Sequence, residues 1–225
     1  MKKNLKHIIL SLLFIPGTVL LMVPEQSYGQ LPRENAADSL YESLGLSGKL
    51  EFEIFRRAIE GMGEYEFGKT NLLTIIDYTQ ASHEKRMFII DLENEKLLYN
   101  TLVAHGKNSG VHYAEDFSNK NRSLMSSPGF YTTAETYFGK HGYSLKLDGL
   151  EKGINDHARD RLIVIHGADY VSEDFILKYD RIGRSWGCPA LPLHLTEEVI
   201  NMIKEGSCLY IHTDDEFYLR HSSQP

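Results

Sequence analysis

The chain is poor in cysteine, proline and tryptophan, and it is short of basic residues. Two cysteines in 225 residues, Cys188 and Cys208, exclude the disulfide framework that staples small exported domains. Lysine and arginine number 24 against 31 aspartates and glutamates, a net charge of −7. That balance argues against nucleic acid as a main ligand, because phosphate binding is driven by Lys and Arg. The HExxH, His-x-His and CxxC patterns of zinc sites are missing, so no metal and no cofactor is expected. The chain has no internal repeat and no low-complexity tract. It also lacks an unbroken apolar run of the ~20 residues that a spanning helix needs.

The nearest approach to such a run is Ile8–Val23, which Pro16-Gly17 interrupts. Lys2, Lys3 and Lys6 precede it, and Ser27-Tyr28-Gly29 follows with small residues where a signal peptidase reads. Residues 1–29 are therefore expected to be a signal peptide cleaved after Gly29. The expected location is the periplasm or cell envelope, with no stable membrane span after cleavage. No cysteine follows the apolar stretch directly, so lipoprotein processing is not supported. The remainder has the length of one domain and can bury a core without staples.

From Ala37 to Gly63 the apolar spacing is helical: Leu50, Ile54, Ala58 and Met62 recur at near-turn intervals, with Ser47 as a candidate cap. Residues 30–70 are expected to form an N-terminal helical extension. Residues 71–215 form the main domain, and 216–225 a C-terminal tail. Strands are predicted over Leu72–Tyr78, Arg86–Asp91, Lys96–His105, Gly129–Phe138, Tyr143–Leu147 and Ser207–His212, and a further strand ends at His166. The polar stretch Gly106–Ser127 is long enough to be functional. Helices are predicted over Ser172–Tyr179 and from a Thr196 cap to Gly206. The fold class is mainly β with several short helices, including an N-terminal helical pair.

The chemistry concentrates in two segments. Cys188 sits in the turn Gly183-Arg184-Ser185-Trp186-Gly187-Cys188-Pro189-Ala190, and the apolar strand Leu162-Ile163-Val164-Ile165 ends in His166-Gly167. A thiol reacts as its thiolate, and a neighbouring imidazole is the usual means of making one near neutral pH. Pro189 has no N–H, so an oxyanion hole here must use the amides of Gly187 and Cys188, with the Trp186 indole as a side-chain candidate. Gly187 lacks a Cβ and permits close approach of backbone to substrate.

These two blocks resemble the signatures of the L,D-transpeptidase catalytic (YkuD-like) family, in its murein L,D-transpeptidase catalytic domain branch. Val103-Ala104-His105-Gly106-Lys107-Asn108-Ser109-Gly110, Ser126-Ser127-Pro128-Gly129-Phe130-Tyr131 and Tyr137–Leu145 add to the likeness, which spans about residues 97–212. The resemblance implies a β-sandwich-like catalytic domain. It places the nucleophile on Cys188 and the general base on His166. The Gly167 carbonyl would orient the imidazole, and Ser185 takes the place of the family's serine three before the cysteine. It further implies a peptidoglycan stem peptide as partner: the thiolate attacks the bond between the L-centre of a dibasic residue and D-alanine, and the thioester passes to an amine as a 3–3 cross-link. Carbapenem-type β-lactams would acylate the same thiol.

The chain departs from the family pattern at two positions. Trp186 stands where a histidine is common, and Ala190 where arginine or asparagine is common. Anchoring of the substrate carboxylate is then left to Arg184, for which a surface ion pair is the equal alternative. Three other readings stay open: an L,D-carboxypeptidase using the same site, a metal peptidase built on His141, Asp148 and His157, and a non-catalytic envelope-binding module with a Cys188–Cys208 bridge. The Asn155–Arg161 stretch is expected to shape the turn before the His166 strand.

Overall fold

The computed structural model describes residues 34–222. The expected signal peptide, residues 1–29, lies outside them. In chain order the elements are α1 (Glu34–Ser43), α2 (Phe52–Met62), β1 (Lys69–Asp77), β2 (Met87–Asp91), β3 (Lys96–Thr101), β4 (Gly129–Gly139) and β5 (Gly142–Gly149). They continue as β6 (Val164–Ala168), α3 (Glu173–Tyr179), β7 (Ala190–Pro192), α4 (Leu193–Ile203), β8 (Ser207–His212) and α5 (Glu216–His221).

All eight strands form one mixed sheet in the order β3-β2-β1-β8-β4-β5-β6-β7. The β1–β8 and β6–β7 pairs are parallel and the others antiparallel. The sheet curls until its two edges meet. Ala104, just beyond β3 at one edge, bridges Ala190 of β7 at the other, its N–H donating to the Ala190 carbonyl at 2.9 Å. The fold is mainly β, as expected.

Side-chain alternation divides the core into two layers. Ile75, Phe88, Ile90, Phe130, Cys208 and Tyr210 face a cluster that includes Leu46, Phe55, Ala58 and Ile59. Their chain neighbours Ile76, Met87, Ile89, Tyr131, Leu209 and Ile211 face the other cluster, with Ile165, Leu191 and the α4 residues Val199, Ile200 and Ile203. The central strands are thus covered on both faces, which explains why they read as near-continuous apolar runs.

The helices before β1 share the sheet's core, so among the described residues before 70 there is no separate hydrophobic centre. At the other end, Tyr218 of α5 is fully buried in that cluster, so residues from 216 onward supply packing as well as a terminus. Two predicted caps are displaced. The residue before α2 is Glu51 rather than Ser47. Helix α4 starts at Leu193, and the Thr196 hydroxyl donates back to the Pro192 carbonyl at 3.0 Å. Pro192 presets the backbone torsion at the helix start, and no side chain caps it. Among the described residues no helix is long and apolar enough to cross a membrane.

Candidate active site

Strand β6 is buried along its whole length and carries His166 at its centre. It pairs antiparallel with β5 and parallel with β7, His166 lying opposite Ser144 and Ala190. The cysteine turn immediately precedes β7, so sheet pairing brings two segments separated in sequence to one place. Cys188, His166, Ser185, Arg184 and Trp186 all line one open cavity of about 500 Å³.

The imidazole is fixed from two sides. His166 Nδ1 lies 2.9 Å from the Gly167 carbonyl, so Nδ1 carries the proton and Nε2 is left as the basic nitrogen. The His141 ring stacks on the His166 ring at 4.5 Å between centroids. Burial pushes the His166 pKa below the ordinary histidine value, partly opposed by the Gly167 carbonyl, and His141 adds to the lowering. The imidazole is neutral in the resting site.

The Cys188 thiol is neutral as well. Burial raises its pKa, while the Val164 N–H and the Arg161 cation act in the opposite sense. Sγ accepts from Val164 N at 3.5 Å and donates to the Leu162 carbonyl at 3.5 Å. These bonds park the sulfur against the start of β6 rather than on the imidazole, a looseness common in ligand-free sites. Leu162 itself has φ of +56°, a left-handed backbone that is costly for leucine and turns its carbonyl to the sulfur.

Ser185 ties the turn together. Its buried hydroxyl donates to the Cys188 carbonyl at 2.6 Å and accepts from the Gly187 N–H at 3.0 Å. This changes the expected oxyanion hole. The Gly187 amide is already engaged, whereas the Cys188 amide has no partner among the described residues. Gly187 adopts φ of +121°, and a Cβ there would lie 2.7 Å from the Met125 carbonyl, so only glycine fits. Trp186 is 69 % exposed and its ring faces the Lys140 ammonium at 5.9 Å. Arg184 has no ion pair among the described residues; its Nη1 donates to the Lys107 and Gly110 carbonyls at 3.0 and 2.7 Å.

Further residues line the cavity without having been singled out in the sequence, among them Arg161, Lys140 and Tyr170, together with His141, which the sequence offered only as a metal ligand. Arg161 belongs to the stretch expected only to shape a turn. It does so, donating to the Ser118 and Met125 carbonyls at 2.6 Å each, and it also faces the thiol as a cation. The polar stretch Gly106–Ser127 packs beneath the cysteine turn. Ser126 Oγ accepts from the Gly106 N–H at 3.0 Å and donates to the Gly187 carbonyl at 3.2 Å. His105, at the end of a predicted strand, is buried: Arg86 Nη2 donates to its Nδ1 at 2.8 Å, and its carbonyl accepts from the Ser185 N–H at 2.9 Å. Burial first, and then Arg86, lower its pKa to about 3. Cys208 is a free buried thiol in the helix-side core and Cys188 is free in the cavity, so no bridge joins them. Asp148 is committed to Arg159 and His141 to its stack on His166, which disperses the set of the alternative metal-peptidase reading.

A curled mixed sheet thus presents a thiol and a carbonyl-oriented imidazole in one open cavity. Residues 46–212 match the family model of the L,D-transpeptidase catalytic domain, and the chain belongs to that family. No curated protein sequence matches the chain. Among solved structures, an L,D-transpeptidase from Stackebrandtia nassauensis is 16 % identical with a TM-score of 0.37, over 80 % of this chain and 78 % of that one. An L,D-transpeptidase from Mycobacterium smegmatis is 12 % identical with a TM-score of 0.39, over 64 % of this chain and 59 % of that one. The helical cell shape determining protein Pgp2 from Campylobacter jejuni is 12 % identical with a TM-score of 0.43, over 67 % of this chain and 50 % of that one. The chain thus spans only about half to three fifths of the length of the latter two. Likenesses this distant carry nothing about activity, and family membership rests on the match over residues 46–212.

Proposed function

We propose that the protein is an exported peptidoglycan L,D-transpeptidase with Cys188 as nucleophile and His166 as general base. The observation that carries this reading is the joint placement of Cys188 and His166 in one cavity, with Nδ1 held by the Gly167 carbonyl, in a chain of this family. Because both groups are neutral at rest, proton transfer accompanies attack instead of preceding it as an ion pair.

The thiol turns from the Leu162 carbonyl toward His166. Nε2 takes its proton as Sγ bonds to the carbonyl carbon between the L-centre of the diamino residue and D-alanine. The developing oxyanion is stabilised by the Cys188 N–H. Protonated His166 then gives its proton to the departing D-alanine nitrogen, and the C–N bond breaks to leave a thioester. An amine of a second stem attacks that thioester, His166 removes its proton, and the thiol is released with a new amide cross-link. Ser185 holds the turn throughout, and Arg161 moderates the cost of negative charge on sulfur.

Mass spectrometry of a tetrapeptide-stem muropeptide incubated with the protein tests the reading. Loss of D-alanine with joining of an acceptor stem is expected, and Cys188→Ala abolishes both while the protein stays folded. Full turnover by Cys188→Ala would refute the cysteine mechanism. Release of D-alanine into water despite abundant acceptor would make the protein an L,D-carboxypeptidase.

A further inference from the structure

We propose that Lys140, with Arg184 as the second cation of the same cavity, selects acyl donors that carry a free carboxylate over otherwise identical donors that carry a carboxamide. This deepens the transpeptidase reading and rests on it.

The charge distribution is the first observation. In a chain of net charge −7, the cavity around Cys188 is lined by Lys140, Arg161 and Arg184 and by no carboxylate. Some cations elsewhere have acidic partners: Lys146 and Arg159 each approach Glu135 at 2.9 Å, and Arg56 meets Glu53 at 2.6 Å. The cavity cations have none. Arg161 donates only to neutral oxygens of the 118–127 segment and is part of the wall. Arg184 spends one terminal nitrogen on two backbone carbonyls. Lys140 makes no hydrogen bond or ion pair among the described residues and rests over the Trp186 ring at 5.9 Å.

Position is the second observation. Lys140 and His141 are the two residues between β4 and β5. Because His141 stacks on His166, the turn that carries Lys140 is tied to the imidazole, and Lys140 lines the same cavity as the reacting atoms. A cation so placed distinguishes a carboxylate from a carboxamide by charge, since the two are nearly equal in shape. Charge-assisted hydrogen bonds are about twice as strong as neutral ones. The position two after the cysteine, which holds Ala190, is fully buried in β7 and can offer no such group.

The test uses two synthetic tetrapeptide stems that differ only in a carboxylate or carboxamide on the diamino residue. Affinity is measured by titration calorimetry on the full chain carrying Cys188→Ala, so that no turnover is needed. The carboxylate stem should bind about tenfold more tightly, the size of one charge-assisted hydrogen bond. Lys140→Gln should collapse that ratio toward one, and Lys140→Arg should keep most of it, with unchanged thermal unfolding as the folding control. Equal affinities, binding of neither stem, or a full ratio in Lys140→Gln would overturn the proposal. Failure of the transpeptidase reading looks different: no Cys188-dependent product from either stem, with the binding preference intact.

Discussion

Ser185→Ala is the sharpest test of how the cysteine turn is held. One hydroxyl receives the Gly187 N–H at 3.0 Å and donates to the Cys188 carbonyl at 2.6 Å, and the residue is only 4 % exposed. Removing it leaves the Gly187 amide buried with no acceptor. An orphaned buried donor costs about 1–3 kcal/mol, and the lost hydroxyl bond adds about 1 kcal/mol. We expect destabilisation of about 2–4 kcal/mol, measured as a lower urea midpoint at unchanged slope. The second expected effect is kinetic. If Ser185 sets where Sγ lies, a displacement of the turn by ~1 Å lowers the rate of Cys188 acylation about 100-fold in protein that is still folded. Stopped-flow acylation by a thioester-forming stem, in buffer well below the midpoint, separates the two. Wild-type stability together with a wild-type acylation rate would refute the turn-holding role.

The neutral resting pair predicts a pH dependence for Cys188. Its iodoacetamide alkylation rate should still be rising above pH 9, with no plateau near neutrality, since burial raises the thiol and lowers His166; a thiolate plateau near pH 7 would indicate an ion pair instead. His105 predicts acid sensitivity. With a folded pKa of about 3 against ~6.5 unfolded, its contribution is full above pH 6.5 and is lost as pH falls from 6.5 toward 3. Stability should drop by about 2 kcal/mol between pH 7 and pH 5 from this residue alone. His105→Gln should flatten the urea-midpoint profile over that range, and an unaltered slope would count against the assignment. Gly61→Ala tests the seating of α2 on the sheet. Its Cβ would fall 2.1 Å from Phe130 Cζ, and Phe130 is backed by Tyr210 at 4.4 Å, so about 1–3 kcal/mol of overpacking is expected. An unchanged thermal midpoint would show that the ring has room to move.

The central strands were legible because each carries its own evidence: an apolar run between turn residues, as in Leu72–Tyr78 or Ser207–His212, needs no knowledge of its partners. Strand β7 was not, since three residues give no periodicity and become a strand only by pairing with β6 and bridging Ala104. The start of α4 was set by Pro192 and by burial of Val199 and Ile200, which outweighed the Thr196 signal. Tyr218 looked like part of a tail because one buried ring in a short polar segment leaves no pattern.

The site divides in the same way. Cys188 and His166 stood out from local wording, since a thiol beside glycine and a histidine ending an apolar strand are features of contiguous residues, while Gly167 and Ser185 were singled out through the family resemblance. The sequence by itself also determined the acidic balance and the shortage of cysteine that excluded other classes. Only the tertiary structure decided which amide is free for an oxyanion. It alone put His141 on the His166 ring, and it gathered Lys140, Arg161 and Arg184 around one thiol. Those relations depend on residues far apart in the chain, brought together by a sheet that curls until its edges meet. Spacing along a sequence records what a residue is, while charge, burial and hydrogen-bond commitment are properties of the neighbours it acquires on folding.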